Sequence, residues 1–258
     1  MKVYPLFLAA SLLAACGSLA VAADPAKTPE QVMQVASKDG RLIYLLFYKE
    51  ADAPTKAMVN VVKSAVASQA GQSTFAAIPL KDPASRAIAT KYGVSRAPMP
   101  MVIAVHPNGA VTGYFQTKAT EEDLGPCVVS PKKAECLKAL QEGRLVFICL
   151  QTQTTSSIPQ GVSEIQSDPH FAKRTQVLTL AVTDPAESSF LKSMEIDPQK
   201  ATPQTLFLAP PGVFVGKFAS NATKDQLAAQ LAAAGKCCDD KNCKHNQQQP
   251  PQPRKATR

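Results

Sequence analysis

The sequence has no tryptophan, few aromatic residues and only one long apolar run. Aromatic side chains make up 6% of the 258 residues, and no segment alternates aromatic with basic residues. This composition argues against a nucleic-acid-binding protein, even though the formal net charge is +8. The apolar run is at the N-terminus, and no other stretch is long enough to cross a membrane. Much of the positive charge lies near the C-terminus, where we expect a solvated tail.

The N-terminal segment has the pattern of a signal peptide. Lys2 precedes an apolar run over residues 3–15, which is too short to span a bilayer. Small residues then allow cleavage after Ala23. The segment that ends at Cys16 also has the pattern of a bacterial lipoprotein signal, in which this cysteine carries a lipid. We therefore expect an extracytoplasmic protein, periplasmic or secreted, with lipid anchoring through Cys16 as the alternative. A basic tail is a further means of contact with a membrane.

Several motifs occur twice, at an offset of about 103 residues. Gly40-Arg41 precedes an apolar run, and Gly143-Arg144 precedes another. Likewise, Asp82-Pro83-Ala84 recurs as Asp184-Pro185-Ala186. The repetition predicts two tandem domains. The expected organisation is a signal peptide over residues 1–23, domains over residues 24–126 and 127–235, and a disordered Gln- and Pro-rich tail over residues 236–258.

The first repeat alternates helical and strand patterns. Thr28 is a good N-cap, and Pro29 suits the first helical position. Helices are predicted over residues 29–38, 54–68 and 83–92 and after Thr120, and strands over residues 42–48, 75–80, 101–106 and 110–115. The order α-β-α-β-α-β-β-α indicates an α/β fold in which helices flank a mixed central sheet.

This order, together with particular residues, resembles thioredoxin. Lys91-Tyr92-Gly93-Val94, a proline, a strand and Asn108-Gly109 are similar to the C-terminal half of that family. Residues 47–56 match, without a gap, the segment that carries the family's Cys-Gly-Pro-Cys motif. The resemblance covers roughly residues 24–235. It implies two tandem thioredoxin-like domains.

Both inherited active-site positions lack cysteine. Asp52, Ala53, Pro54 and Thr55 occupy the four positions of the motif, and the corresponding residues 155–158 contain no sulfur either. Thioredoxin chemistry needs a low-pKa thiolate at a helix start and a second thiol to resolve the mixed disulfide. We therefore predict no catalytic residue at these vestigial sites. Asp52 is interpreted as an ordinary helix N-cap.

The resemblance also implies a groove beside a cis-proline, assigned to Pro98 in the first domain and to Pro203 in the second. In thioredoxin-like proteins this groove pairs with an extended peptide through backbone hydrogen bonds. Tandem domains without cysteines resemble the non-catalytic domains of protein disulfide isomerases, which hold clients. We expect a redox-inactive protein that binds a peptide or protein client, or that serves as a scaffold.

The remaining cysteines predict disulfides or a metal site. Cys127 and Cys136 flank the junction of the domains and are expected to form a disulfide in an oxidising compartment, whereas Cys149 is expected to be a buried core thiol. The tail could hold zinc or copper, or could close a small disulfide loop. Thiol-redox or metal-handling chemistry at this cluster is the alternative function. Its members are Cys237, Cys238, Cys243 and His245.

Overall fold

The computed structural model describes residues 28–152 and 157–236, which form two four-stranded sheets with helices packed against them. The first domain contains α1 (Pro29–Lys38), β1 (Leu42–Tyr48), α2 (Ala53–Ser68), β2 (Ser73–Pro79), α3 (Arg86–Lys91), β3 (Met101–Val105), β4 (Val111–Gln116) and α4 (Glu121–Leu124). The second contains α5 (Pro131–Gln141), β5 (Leu145–Gln151), α6 (Gln160–Ser167), β6 (Thr175–Ala181), α7 (Ser188–Ser193), β7 (Gln204–Ala209), β8 (Val213–Ala219) and α8 (Lys224–Lys236).

The two sheets have the same topology. Their strand orders are β2-β1-β3-β4 and β6-β5-β7-β8. In the first sheet β1 pairs in parallel with β2 and antiparallel with β3, which pairs antiparallel with β4. The second sheet repeats each pairing. This arrangement confirms the predicted α/β class with a mixed sheet in each of two tandem thioredoxin-like domains.

Capping residues that are recognisable in the sequence lie at the starts of helices. Thr28 and Gln31 form a capping box at α1, in which the Thr28 hydroxyl accepts from the Gln31 N–H at 3.3 Å and the Thr28 N–H donates to Gln31 Oε1 at 2.8 Å. The repeated Asp-Pro-Ala motifs also behave alike. The carboxylates of Asp82 and Asp184 each accept a hydrogen bond from the backbone N–H two residues later, at 2.9 Å.

The inner strands β1, β3 and β5 are buried on both faces, as their continuous apolar runs predict. In β1, Ile43 and its same-face neighbours pack against α1 and α3, whereas Tyr44 and its neighbours pack against α2 and α4. The Tyr44 hydroxyl donates to the backbone oxygen of Leu124 at 2.8 Å, so its buried polar atom is satisfied. Among the described residues, no helix is both long and apolar enough to cross a membrane.

The cysteines at the junction do not form the predicted disulfide. Cys127 and Cys136 are both free and buried. Cys127 packs in the core of the first domain, in the cluster that contains Tyr44, while Cys136 packs in the core of the second, in the cluster that contains Ile148. The prediction is wrong because the two side chains enter different cores. Cys149 is a buried free thiol, as expected.

A buried carboxylate organises the start of the second domain. Glu187 is 1% exposed. It accepts hydrogen bonds from the Ser130 hydroxyl at 2.5 Å and from the Lys132 N–H at 2.8 Å. Ser130 occupies the N-cap position of α5 but does not cap the helix with its own side chain. Glu187 therefore supplies the cap from 55 residues away.

Candidate functional site

The vestigial active site of the first domain lies where β1 ends and α2 begins. Asp52 is the N-cap of α2, and its carboxylate accepts a hydrogen bond from the Thr55 N–H at 3.0 Å. Hydrogen bonding to Thr55 lowers the pKa of the Asp52 carboxyl. Because this pKa lies below the ordinary value of 3.8, the exposed side chain is an anion at neutral pH. The interpretation of Asp52 as an ordinary N-cap is confirmed.

Thr55 takes the position of the second thiol. It lies in the first turn of α2 and is 5% exposed, whereas Ala53 and Pro54 are exposed. A carboxylate and a hydroxyl cannot form or exchange a disulfide. The four positions keep the helix start of a thioredoxin-like site without its sulfur chemistry.

The cis peptide bond of the first domain precedes Pro100, not Pro98. Pro100 is buried and directly precedes β3, whose first residue, Met101, pairs with Phe47 of β1. Pro98 is exposed and lies two residues before this point. The assignment to Pro98 is wrong because the sequence offers two prolines, and the spacing alone does not show which one adjoins the strand.

The corresponding assignment to Pro203 is also wrong. In the second domain the cis bond joins Pro210 and Pro211, in the turn between β7 and β8. Pro203 nevertheless directly precedes β7 and lines a cleft of about 250 Å³ together with Ile158 and Cys149. The cleft therefore lies where the resemblance places the second site. Part of the matching segment, residues 153–156, lies outside the described residues.

A cleft of about 280 Å³ lies between the start of α2 and the segment that precedes β3. Asp52 and Thr55 line one side, and Met99 and Pro100 line the other. The Met99 backbone N–H and C=O make no hydrogen bond within the described part of the chain. No pattern in the sequence indicates that the backbone groups of Met99 lack partners. Met101 does pack in the core, whereas Met99 is half-buried at the cleft.

The cysteines that the structure describes are poorly suited to redox chemistry. Burial raises the pKa of Cys127 and of Cys136 to about 11. Burial also raises the pKa of Cys149, which the Thr205 hydroxyl contacts at 3.8 Å. Only the thiolate is a strong nucleophile, so these thiols react slowly at neutral pH.

The predicted metal site in the tail, formed by Cys237, Cys238, Cys243 and His245, lies outside the described residues, as does Cys16. Within residues 28–152 and 157–236, no group of three or more His, Cys, Asp or Glu side chains is placed to hold a metal ion.

Comparison with solved structures places thioredoxin-fold proteins among those similar to this chain. Human ERp44 in a zinc-bound form is 13% identical, with a TM-score of 0.35, over 80% of this chain and 59% of that one. A thioredoxin from Fasciola hepatica is 20% identical, with a TM-score of 0.30, over 37% of this chain and 86% of its own. A domain of the alkylhydroperoxide reductase AhpF from Enterococcus faecalis is 16% identical, with a TM-score of 0.28, over 79% of this chain and 99% of that one.

No family model and no curated protein matches the chain. Because these TM-scores are low, the fold is assigned from the strand order and the helix positions. Both domains have the thioredoxin-like fold. In each of them the cleft at the end of the first strand lies at the active-site position of that fold, and no described residue there is an exposed thiol.

Proposed function

We propose that this chain is an exported, redox-inactive protein that binds an extended peptide or protein client in the groove beside Pro100. The unpaired backbone of Met99 carries the proposal, because it lies at the edge of a cleft with both its N–H and its C=O free of partners among the described residues. An extended peptide can satisfy both groups by strand addition.

The chemistry of the cleft supports binding rather than thiol exchange. Asp52 and Thr55 replace the two thiols, and the helix N-terminus that would activate a cysteine instead holds the Asp52 carboxylate. Lys49 and Glu50 add one charge of each sign to the rim. The groove is therefore polar at its rim but has Met99 as an apolar contact, which suits a client of mixed composition.

The export part of the proposal depends on the N-terminal segment, which lies outside the described residues. An intact mass measured on protein from the native host tests it. A chain that begins at Asp24 is expected. A lipid on Cys16 would favour the lipoprotein alternative, and retention of Met1 would contradict export.

Client binding is tested with reduced, carboxymethylated ribonuclease A, an unfolded polypeptide without free thiols. Titration into the full-length protein is expected to shift the Met99 amide signal in two-dimensional NMR spectra. Met99→Pro removes the N–H and is expected to weaken binding about fivefold, the effect of one hydrogen bond. Thr202→Pro, before Pro203, is the matched control. Absence of binding, or equal affinity of Met99→Pro and the wild type, would contradict the proposal.

A further inference from the structure

A second and larger cleft lies at the opposite end of β1, between α1, α3 and the turn that joins β3 to β4. Its volume is about 530 Å³, which is in the range of roughly 300–1,000 Å³ typical of small-molecule sites. The residues that line it are distinct from those of the groove beside Pro100. The peptide-binding proposal therefore does not account for it.

The floor of this cleft is apolar. Ile43, Ile88 and Val105 line it, and each is at most 3% exposed. Met33 of α1 is half-buried beside them and can adapt its flexible side chain to a ligand. Transfer of an apolar group from water onto this apolar floor is favourable, which favours a ligand with a hydrocarbon or aromatic body.

The rim of the cleft is predominantly cationic. Lys38, Arg41 and Lys91 line it, against a single acid, Glu30. Arg41 already pairs with Asp39 at 2.5 Å, whereas Lys38 makes no ion pair with any described residue. Lys91 lies over its neighbouring tyrosine ring at 5.4 Å. Two lysines are thus available to an acid group.

Glu30 indicates that the ligand also carries a hydrogen-bond donor. Its Oε1 atom is buried and has no hydrogen-bond partner in the part of the chain that the structure describes. A buried acceptor without a donor destabilises the protein, so a donor from a ligand would be favourable. Since Glu30 and Lys38 are separated by two turns of α1, the cleft offers an acceptor and a cation at different places along one helix.

We infer that this cleft binds a small amphipathic anion. Its acid group would pair with Lys38 and Lys91, its apolar body would cover Ile88, and an N–H or O–H would donate to Glu30. Each part of the ligand corresponds to a group of the cleft that is otherwise unsatisfied or available.

The second domain supports this inference by contrast. Ser37 and Ile88 correspond in the repeat to Leu140 and Phe190, which are buried in one hydrophobic cluster. The place that stays open and charged in the first domain thus carries larger apolar side chains in the second. The two lysines change as well, because Lys38 corresponds to Gln141 and Lys91 to Ser193.

The repeat supplies the test variants. The probe is anilinonaphthalene sulfonate, an aromatic sulfonate with one N–H donor, titrated into the full-length protein by calorimetry and two-dimensional NMR. One saturable site is expected, with amide shifts at Ile43 and Val105. The double variant Lys38→Gln and Lys91→Ser removes both charge-assisted contacts and is expected to bind at least about tenfold more weakly, since tenfold is the effect of losing one of them.

Two further variants keep the test decisive. Ile88→Phe introduces the residue of the second domain and is expected to abolish saturable binding by filling the cleft. The control pair Lys63→Gln and Lys192→Ser removes two exposed lysines elsewhere and should leave affinity unchanged. Circular dichroism verifies that each variant is folded. Amide shifts confined to other surfaces, or equal affinities of the cleft and control variants, would overturn the inference.

Discussion

Gln141 completes both backbone hydrogen bonds of Val111 across the boundary between the domains. Its Oε1 accepts from the Val111 N–H at 2.9 Å, and its Nε2 donates to the Val111 oxygen at 2.7 Å. Val111 begins β4, the edge strand of the first sheet, so these backbone groups would otherwise lack a strand partner. The side-chain amide takes the place of one residue of a neighbouring strand. It thereby attaches α5 to the first domain.

Replacement of this amide should loosen the attachment. Gln141→Ala removes two hydrogen bonds and is expected to lower the free energy of unfolding by about 1–2 kcal/mol. Urea denaturation provides the measurement. Gln160→Ala is the matched control, because among the described residues the Gln160 side chain hydrogen-bonds only to the exposed Glu164. Equal losses for the two variants would show that the contact between the domains contributes nothing specific.

The buried cap at α5 should be among the most sensitive positions. Glu187→Ala leaves the Ser130 hydroxyl and the Lys132 N–H without their acceptor, at an expected cost of about 2–4 kcal/mol. Thermal unfolding measures the loss. Glu50→Ala removes an exposed carboxylate that pairs with Lys81 and should change stability little. A Glu187 variant as stable as the wild type would contradict the proposed capping role.

Close packing at β4 predicts a steric effect. A Cβ atom at Gly113 would lie 2.4 Å from Cys127 Sγ and 2.8 Å from the Phe115 ring. Gly113→Ala is therefore expected to lower stability by about 1–3 kcal/mol in thermal unfolding. Gly125→Ala, which meets no atom within 4 Å, is the control. Adding Cys127→Ala to Gly113→Ala should recover part of the loss, and no recovery would argue against the contact with sulfur.

The cap at Asp52 predicts a pH dependence. Because its pKa in the folded protein lies below the ordinary value of 3.8, the carboxylate contributes stability above the unfolded-state pKa and loses it as the pH falls through the folded-state pKa. Thr55→Val should raise the pKa of Asp52 in an NMR titration. The pKa of Asp123, which Thr120 lowers, should stay unchanged as the control. A pKa of Asp52 that does not respond to Thr55→Val would contradict this account.

The sequence predicted the regular elements well where local signals coincide. The predicted strand over residues 42–48 matches β1. A short, continuous apolar run that is followed by a helix cap is typical of a buried strand. The predicted helix over residues 29–38 matches α1, because Thr28 caps its start, Pro29 suits its first position and Gly40 follows its end. Repetition of these signals was sufficient to predict two domains with the same sheet.

The errors concern contacts that spacing along the chain does not determine. Cys127 and Cys136 are close in sequence, yet their sulfurs enter different cores. Two prolines flank Met99, and only the strand pairing shows that Pro100 adjoins β3. The hydrogen bonds of Glu187 and Gln141 join residues up to 57 and 30 positions apart, and the residue type does not indicate the partner in either case.

Dithiothreitol-driven insulin reduction tests most directly whether sulfur chemistry is absent from the inherited sites. The full-length wild type is expected not to accelerate the reaction. The double variant Asp52→Cys and Thr55→Cys is expected to accelerate it, because the helix N-terminus that now holds a carboxylate would stabilise a thiolate. Acceleration by the wild type would contradict the account, and its loss in Cys243→Ser would locate the activity in the C-terminal tail.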